Sequence, residues 1–246
     1  MHKKKQTDSS KGVVMEKFPM QNKKLPLYLK EVYGWMYGSK KISNILDNSF
    51  VQNVLSCGYS KKLTDALVKE IKPGARVLQF GATFGPQIEA VVEKIGDNGT
   101  YDIIDVSNMQ LHRIREKYQY IFPNIRLANR DVSQELNLRD YDVTICYMLL
   151  HEVPPQTKAK IVDNALKSIA PDGKVIFVDY HSPKKYHPLR FVAKAFNRLY
   201  QPFAEKLWER EIYAYAPERE KYNWRKATYF ERMYQKVVAT KKYSAY

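Results

Sequence analysis

The chain has 246 residues, 44% of them hydrophobic, and 41 Lys/Arg against 26 Asp/Glu. That is enough apolar material for one α/β domain with appendages, while no run approaches the ~20 apolar residues of a membrane-spanning helix, so any membrane contact is peripheral. The charge is uneven: residues 1–30 carry +6, residues 184–246 carry +9, and residues 31–183 balance to zero.

Basic flanks of this kind attract polyanions, either anionic lipid or nucleic acid. For residues 1–24 the plainer reading is a flexible, solvated basic N-terminus. Its "MHKKKQTDSSKGVV" has no apolar signal-peptide core, so secretion is not expected. Cys57 and Cys146 form no CxxC or zinc-type spacing and fit a reducing compartment.

Residues 25–72 read as a helical cap or lid. Its "LPLYLKEVYGWMYGSKK" is aromatic-rich and interrupted by Gly34 and Gly38; Leu63, Ala66, Leu67 and Ile71 then mark an amphipathic helix ending at "KPG". From Arg76 strand and helix signals alternate. "RVLQF" is a strand, followed by a helix with Pro86 in its first turn, Ile88, Val91, Val92 and Ile95 on one face, and Gly96 as its stop. "TYDIID" is a second strand. Ser107 and Gln110 form a capping box for a helix running to Tyr118. "IRLA" and "YDVTICYM" are further strands. Pro155 opens a helix carrying Val162, Ala165, Leu166 and Ile169, and a "PDG" turn leads to the strand "KVIFVDY". The alternation predicts a doubly wound, mostly parallel α/β sheet of Rossmann-like type over residues 73–246.

Within that domain, residues 184–212 read as an amphipathic insertion contacting membrane or substrate. "PLRFVAKAFNRLYQPFAEKLW" aligns Phe191, Ala195, Phe196, Leu199, Phe203 and Leu207 along one side, with Pro202 kinking the helix. The same stripe packed against the sheet as core is the competing reading. The ending "RKATYFERMYQKVVATKKY" predicts a terminal β-hairpin joining the sheet.

Doubly wound sheets bind ligands at the carboxyl ends of their strands. Gly81 and Gly85 bracket the turn after the first strand, where small residues let backbone approach a ligand. Asp105, 24 residues beyond Gly81, suits ribose hydroxyls, and Met109 offers an apolar wall for adenine. Asp131 either accepts from an adenine amine or caps its own loop. The set points to an adenosine ligand. Without GxxxxGK[ST] or a full GxGxxG, ATP and NAD fit poorly and S-adenosylmethionine (SAM) fits better.

The ordered set "VLQFGATFG", "YDIIDVSNMQL", "LLHEVP", "VIFVDYH", "PFAEKLW" and "TYF…YQKVVA" resembles the RquA rhodoquinone-biosynthesis proteins, within the class I SAM-dependent methyltransferase superfamily near the ubiquinone/menaquinone C-methyltransferases. The resemblance implies anaerobic quinone metabolism: replacement of a ubiquinone ring methoxy by an amino group from SAM, assisted by a divalent metal, manganese. It implies SAM contacts from Gln79, Gly81, Thr83, Gly85, Asp105, Met109 and Asp131, with Tyr147 beside them. Gln79 and Thr83 depart from the methyltransferase pattern of an acid and a glycine. A neutral Gln79 either frees the SAM amine to act as a nucleophile, since a nearby carboxylate favours ammonium, or simply makes a neutral hydrogen bond.

The substrate-facing strand ends carry Tyr147, His151 and Glu152, then Asp179, Tyr180 and His181. His151, His181 and Tyr180 are candidate proton-transfer groups, and Asp179 with His181 a candidate metal pair, two apart on one strand face. Alternatively, His151 only shapes the pocket and Asp179 bonds backbone at a strand end. His112 and His187 read as surface residues.

The expected partners are ubiquinone and an anionic membrane surface, with no nucleic acid. The location is the matrix side of the mitochondrial inner membrane in a eukaryote or the cytoplasmic membrane face in a bacterium. Conventional methylation of a quinone or phenol is the alternative chemistry. A basic RNA-binding module without catalysis is a third reading, disfavoured by the neutral core.

Overall fold

In the computed structural model, residues 26, 29, 45–48, 50–52, 56–118, 120–191, 194 and 203–242 are described. The basic N-terminus, most of the aromatic cap segment and the middle of the amphipathic insertion lie outside them.

Seven strands form one sheet: β1 (Arg76–Phe80), β2 (Thr100–Asp105), β3 (Ile125–Asn129), β4 (Tyr141–Tyr147), β5 (Ile169–Tyr180), β6 (Tyr222–Tyr229) and β7 (Tyr234–Lys241). Their order is β3-β2-β1-β4-β5-β7-β6. The first five are parallel; β7 pairs antiparallel with β5, and β6 with β7. The chain order reverses between β1 and β4, which opens a crevice at their carboxyl ends.

The strands alternate sides, so each apolar run serves two layers. Val77, Ile103, Ile145, Ile176 and Val178 face α1 (Ser60–Val68), α2 (Gln87–Ile95) and α3 (Asn108–Tyr118) through Leu63, Leu67, Ile88, Val91 and Ile114. Leu78, Phe80, Ile104, Cys146 and Phe177 face α4 (Pro155–Ser168) through Ile161, Val162 and Ala165. Each fully buried Val, Leu, Ile or Phe side chain among them contributes about 1.5–3 kcal/mol. Two caps follow the sequence closely. Ser107 Oγ accepts the Gln110 N–H at 3.4 Å, and Gly96 ends α2 with φ 66°, a conformation costly for other residues.

Some expectations are corrected. Ile169 is not helical but opens β5, opposite Tyr141; pairing resumes at Lys174 opposite Val143, so "PDG" lies in an irregular stretch within β5. Helix α1 stops at Val68, with Ile71 still buried beyond it. The terminal hairpin forms, with β6 starting three residues before the predicted stretch; Phe230, Glu231 and Arg232 turn it with φ of 47°, 46° and 70°.

In the insertion, the described residues Arg190, Phe191 and Lys194 are helical, and α5 (Lys206–Glu209) follows. Its Leu207 joins the α4-side core, 1% exposed, as the core reading of the stripe requires, whereas Phe191 is 81% exposed. Among the described residues no helix is long and apolar enough to cross a membrane.

Candidate active site

The turn after β1 is built for close backbone approach. Gly81 and Gly85 have φ of 85° and 82°, and a Cβ on Gly81 would come within 3.2 Å of the Leu149 side chain. Asp105, at the end of β2, locks this turn: its Oδ2 accepts the Ala82 N–H at 2.6 Å and its Oδ1 the Ser107 N–H at 2.6 Å. Burial pushes its carboxyl up to about 6, against the pull of those two backbone bonds and Arg113.

A cavity opens at this point, lined by Gly81, Asp105, Asp131 and Glu152, with Leu29, Leu149, Val153 and Ile161 as apolar walls. Among the described residues its charged lining side chains are all acids. Such a cavity favours a ligand carrying positive charge, and a nucleoside sulfonium with an amino group meets that requirement.

The structure divides the expected cofactor set. Gly81, Asp105 and Asp131 line the cavity; Gln79, Thr83, Gly85, Met109 and Tyr147 do not. Gln79 is fully buried beneath the turn: its Oε1 accepts from Tyr101 Oη and, at 3.0 Å, Gln87 Nε2, while its Nε2 donates to the Gly81 carbonyl at 3.0 Å. It makes neutral hydrogen bonds and supports the turn from below, which corrects the expected direct contact. Asp131 Oδ1 holds its own loop, accepting from the Ser133 N–H at 2.9 Å and hydroxyl at 2.7 Å.

Thr83 and Gly85 are clamped from outside the cavity. Arg113 donates to the Thr83 carbonyl at 2.7 Å and pairs with Asp47 at 2.5 Å; Asp47 also accepts the Gly85 N–H at 2.9 Å. Asp47 comes from the cap, and its long-range pairing with Arg113 leaves no local sequence signal. Met109 is half-buried on α3, and Tyr147 is buried among core residues, its hydroxyl pushed up to about 12 by burial.

On the reacting side, the Leu150–Glu152 turn after β4 meets the end of β5. Asp179 Oδ2 accepts the Leu150 N–H at 2.8 Å and the His151 N–H at 3.3 Å, and Asp179 Oδ1 lies 2.9 Å from His151 Nδ1. This carboxylate fixes both the backbone and the ring of His151, leaving Nε2 on the side of Glu152, 3.8 Å away. Burial alone would depress the His151 pKa; the Asp179 charge and hydrogen bond outweigh it, and the net value lies above the usual 6.5. The Tyr180 ring sits edge-on to His151 at 4.7 Å and stacks on Tyr234 at 5.5 Å.

The expected metal pair does not assemble. Asp179 is spent on His151 and backbone, while His181 Nε2 lies 2.7 Å from the Lys226 ammonium and Nδ1 faces the Ser182 and Arg232 carbonyls at 3.2 Å. An ammonium at His181 Nε2 is the wrong neighbour for a cation. Among the described residues no three His, Cys, Asp or Glu converge on a metal-sized site. These residues do not fit manganese. Burial and Lys226 also pull the His181 pKa down, and the Lys226–Glu211 pair at 2.6 Å covers it from the hairpin side.

Two further residues escaped the sequence reading. Lys158 is fully buried, donates to the Val153 carbonyl and, at 3.1 Å, to the Phe203 carbonyl, and burial pulls its ammonium down to about 8. Its place one turn before Ile161 and Val162 on the buried face of α4 was the available signal. His187, expected at the surface, is 4% exposed, its ring against Phe230 at 4.6 Å; nothing in the Pro- and Lys-rich loop around it foretold burial. His112 is exposed as expected.

Residues 78–175 match a family described as a methyltransferase domain. No curated protein sequence matches the chain. Among solved structures the chain is similar to the pyocyanin biosynthetic protein PhzM (11% identity, TM-score 0.63, covering 86% of this chain and 62% of that one) and the mitomycin 7-O-methyltransferase MmcR (12%, 0.63, 85% and 60%). It is also similar to the N-methyltransferase NodS from Bradyrhizobium japonicum WM9 (14% identity, TM-score 0.53, 77% and 97%). The chain thus spans about three fifths of the length of the first two. At these identities the likeness is one of fold. The domain match over residues 78–175 and the fold agree on a methyltransferase-type α/β architecture, with the acidic cavity at the switch point of its sheet.

Proposed function

We propose that this chain is a SAM-dependent transferase that acts on ubiquinone, replacing a ring methoxy group by the amino group of SAM to give rhodoquinone. The observation that carries a proton-moving transferase is the buried His151–Asp179 pair beside a cavity whose lining includes Glu152. The quinone itself rests on the resemblance of the ordered motifs to RquA proteins.

SAM, when bound, supplies the amino nitrogen in this reading. Amine attack on the ring forms a C–N bond while the C–O bond to the methoxy group breaks. One proton must leave the nitrogen and one must reach the departing oxygen as methanol forms. An imidazole oriented by a carboxylate moves both protons. The quinone ring would then take up the two hydrogens of N–H and Cα–H, becoming a hydroquinone. Water would cleave the resulting C=N bond to release the amino group on the reduced ring and the 2-oxo acid left from SAM. Tyr180, edge-on to that imidazole and stacked on Tyr234, offers a planar ring a matching wall. Gln79, turned into the interior, brings no carboxylate to the amine from its position.

A second reading, methylation of a phenol or hydroquinone oxygen, is favoured by the methyltransferase-domain match over residues 78–175. There His151 takes the hydroxyl proton and SAM supplies the methyl group. The deciding experiment incubates the full chain with SAM labelled by nitrogen-15 at the amino group and a short-tailed ubiquinone, with and without manganese, and weighs the products. A nitrogen-15 aminoquinone supports the first reading. A methylated product without nitrogen transfer overturns it in favour of the second.

A further inference from the structure

His187 is a buried histidine with one hydrogen-bonding atom left over. The Leu189 N–H donates to its Nδ1 at 3.1 Å, which assigns the proton of the neutral ring to Nε2. That Nε2 is buried and has no hydrogen-bond partner among the described residues. Buried donors in native proteins are normally satisfied, so an orphan aimed inside the fold calls for an explanation, and a ligand is one. The Phe230 ring, at 83° to the imidazole, packs it without offering an oxygen acceptor.

The surroundings identify the ligand's chemistry. His187 lies on the segment that leaves the carboxyl end of β5, the end that also carries Asp179 and Tyr180. The Lys184 N–H binds the Glu231 carbonyl at 2.9 Å, tying this segment to the hairpin tip. Phe230, at that tip, stacks at 4.6 Å on Tyr59, just before α1. Tyr59, Tyr180, Leu189 and Phe230 pack against the same core layer. The donor therefore sits beside the Phe230–Tyr59 stack, on the segment that leaves the strand end carrying Asp179 and Tyr180.

We infer that His187 is a substrate-binding residue whose Nε2–H receives a carbonyl, methoxy or hydroxyl oxygen of a planar aromatic or quinoid acceptor. This deepens the proposed function and rests on its placing of the acceptor beside His151. The donor fixes the acceptor's orientation from the edge away from the proton-transfer pair, and it discriminates against rings lacking an oxygen at that edge, because such a ring leaves the donor unpaired.

Two variants separate this role from a structural one. In H187N the amide oxygen occupies the place of Nδ1 and keeps the Leu189 bond, but the Nε2 donor is gone. In H187Q the terminal amide nitrogen reaches the place of Nε2, and the Nδ1 acceptor is gone. The full chain, saturated with SAM, is titrated calorimetrically with a short-tailed ubiquinone and, separately, with a methoxyphenol; melting temperatures are recorded alongside.

The expected result is that H187N melts as the wild type does yet binds both probes roughly 10–100-fold more weakly, while H187Q melts lower and binds within a few-fold of wild type. Wild-type affinity in H187N, or affinities that follow the melting temperatures, overturns the assignment. A wild type that binds the quinone but yields neither aminated nor methylated product sinks the reaction proposed above, and the two variants still decide the role of His187. A wild type that binds neither probe overturns both.

Discussion

At the scale of single residues, the His151–Asp179 pair has a pH signature. The folded pKa of His151 lies above its ordinary 6.5, so protonation favours the folded chain. That stability is complete below the ordinary value and is lost as pH rises through the folded one. Catalysis runs the other way, because a base must be neutral. The ratio kcat/KM should climb as pH rises through the same raised value. In D179N the group that raises it is gone, so the rising limb should move to lower pH while kcat falls by about 100-fold or more. A limb that stays put in D179N would remove His151 as the titrating base. Asp105 gives a second profile. Burial holds its carboxyl at about 6, above its ordinary 3.8, so the folded chain keeps a proton that the unfolded chain has lost. The apoprotein therefore loses stability on this account as pH rises from about 4 to 6. A cationic ligand wants the carboxylate, so SAM affinity measured by calorimetry should fall as pH drops below about 6. D105N should weaken SAM binding at neutral pH by roughly 10-fold, since an amide carries no charge and its single oxygen cannot hold both backbone N–H groups. Unchanged affinity in D105N would separate this cavity from SAM.

At the scale of elements, the terminal hairpin is fastened to the last turn after α1 by Glu70. Its carboxylate meets Lys236 of β7 at 2.7 Å and Arg225 of β6 at 3.0 Å. Burial alone would raise this carboxyl, but the two cations outweigh it and hold it at about 2, below its ordinary 4.5. Stability from this cluster is therefore present above 4.5 and lost as pH falls toward 2. E70Q should cost about 1 kcal/mol at neutral pH and flatten the acid limb of urea midpoints between those values; an unaltered limb would show that the hairpin is held by its core contacts alone. The hairpin was itself legible from sequence, as were the five parallel strands, because a buried strand between turn residues leaves a local pattern: "RVLQF" and "TYDIID" match β1 and β2 end to end. The positions of Gly81 and Asp105 at the ends of β1 and β2 were legible for the same reason. What was illegible depends on distant partners. Nothing local distinguishes a Gln79 that faces a ligand from one that Tyr101 and Gln87 hold inward. Likewise, only the fold reveals that Asp179 is occupied by the turn carrying His151, or that Asp47 crosses from the cap to Gly85 and Arg113.

At the scale of the whole molecule, the charge imbalance coincides with exposed aromatic side chains. Residues 31–183 are electrically neutral, and the +9 of residues 184–246 begins where β5 ends. Tyr186 is 96% exposed and Phe191 81%, with Lys184, Lys185 and Lys194 exposed beside them. Aromatic rings at the headgroup level with lysines around them are the composition that peripheral membrane contacts use. The patch follows the strand that carries Asp179 and Tyr180, so a protein resting on it would turn its substrate side toward the bilayer, where a long-tailed quinone resides. Leu207 points into the core instead, so the contact proposed here is narrower than the whole amphipathic stripe. The full chain should sediment with vesicles of mixed neutral and anionic lipid, and less so as salt is raised, because screening at 0.1 M confines each attraction to about 10 Å. Reversing Lys185 and removing the neighbouring ring, K185E with Y186S, should lower partitioning by roughly 10-fold or more, since each surface lysine contributes about 1 kcal/mol near anionic lipid. SAM affinity, set by the cavity between β1 and β4, should not change in that variant. Equal binding to neutral and anionic vesicles, or partitioning untouched by the double substitution, would mean the quinone is reached by another surface.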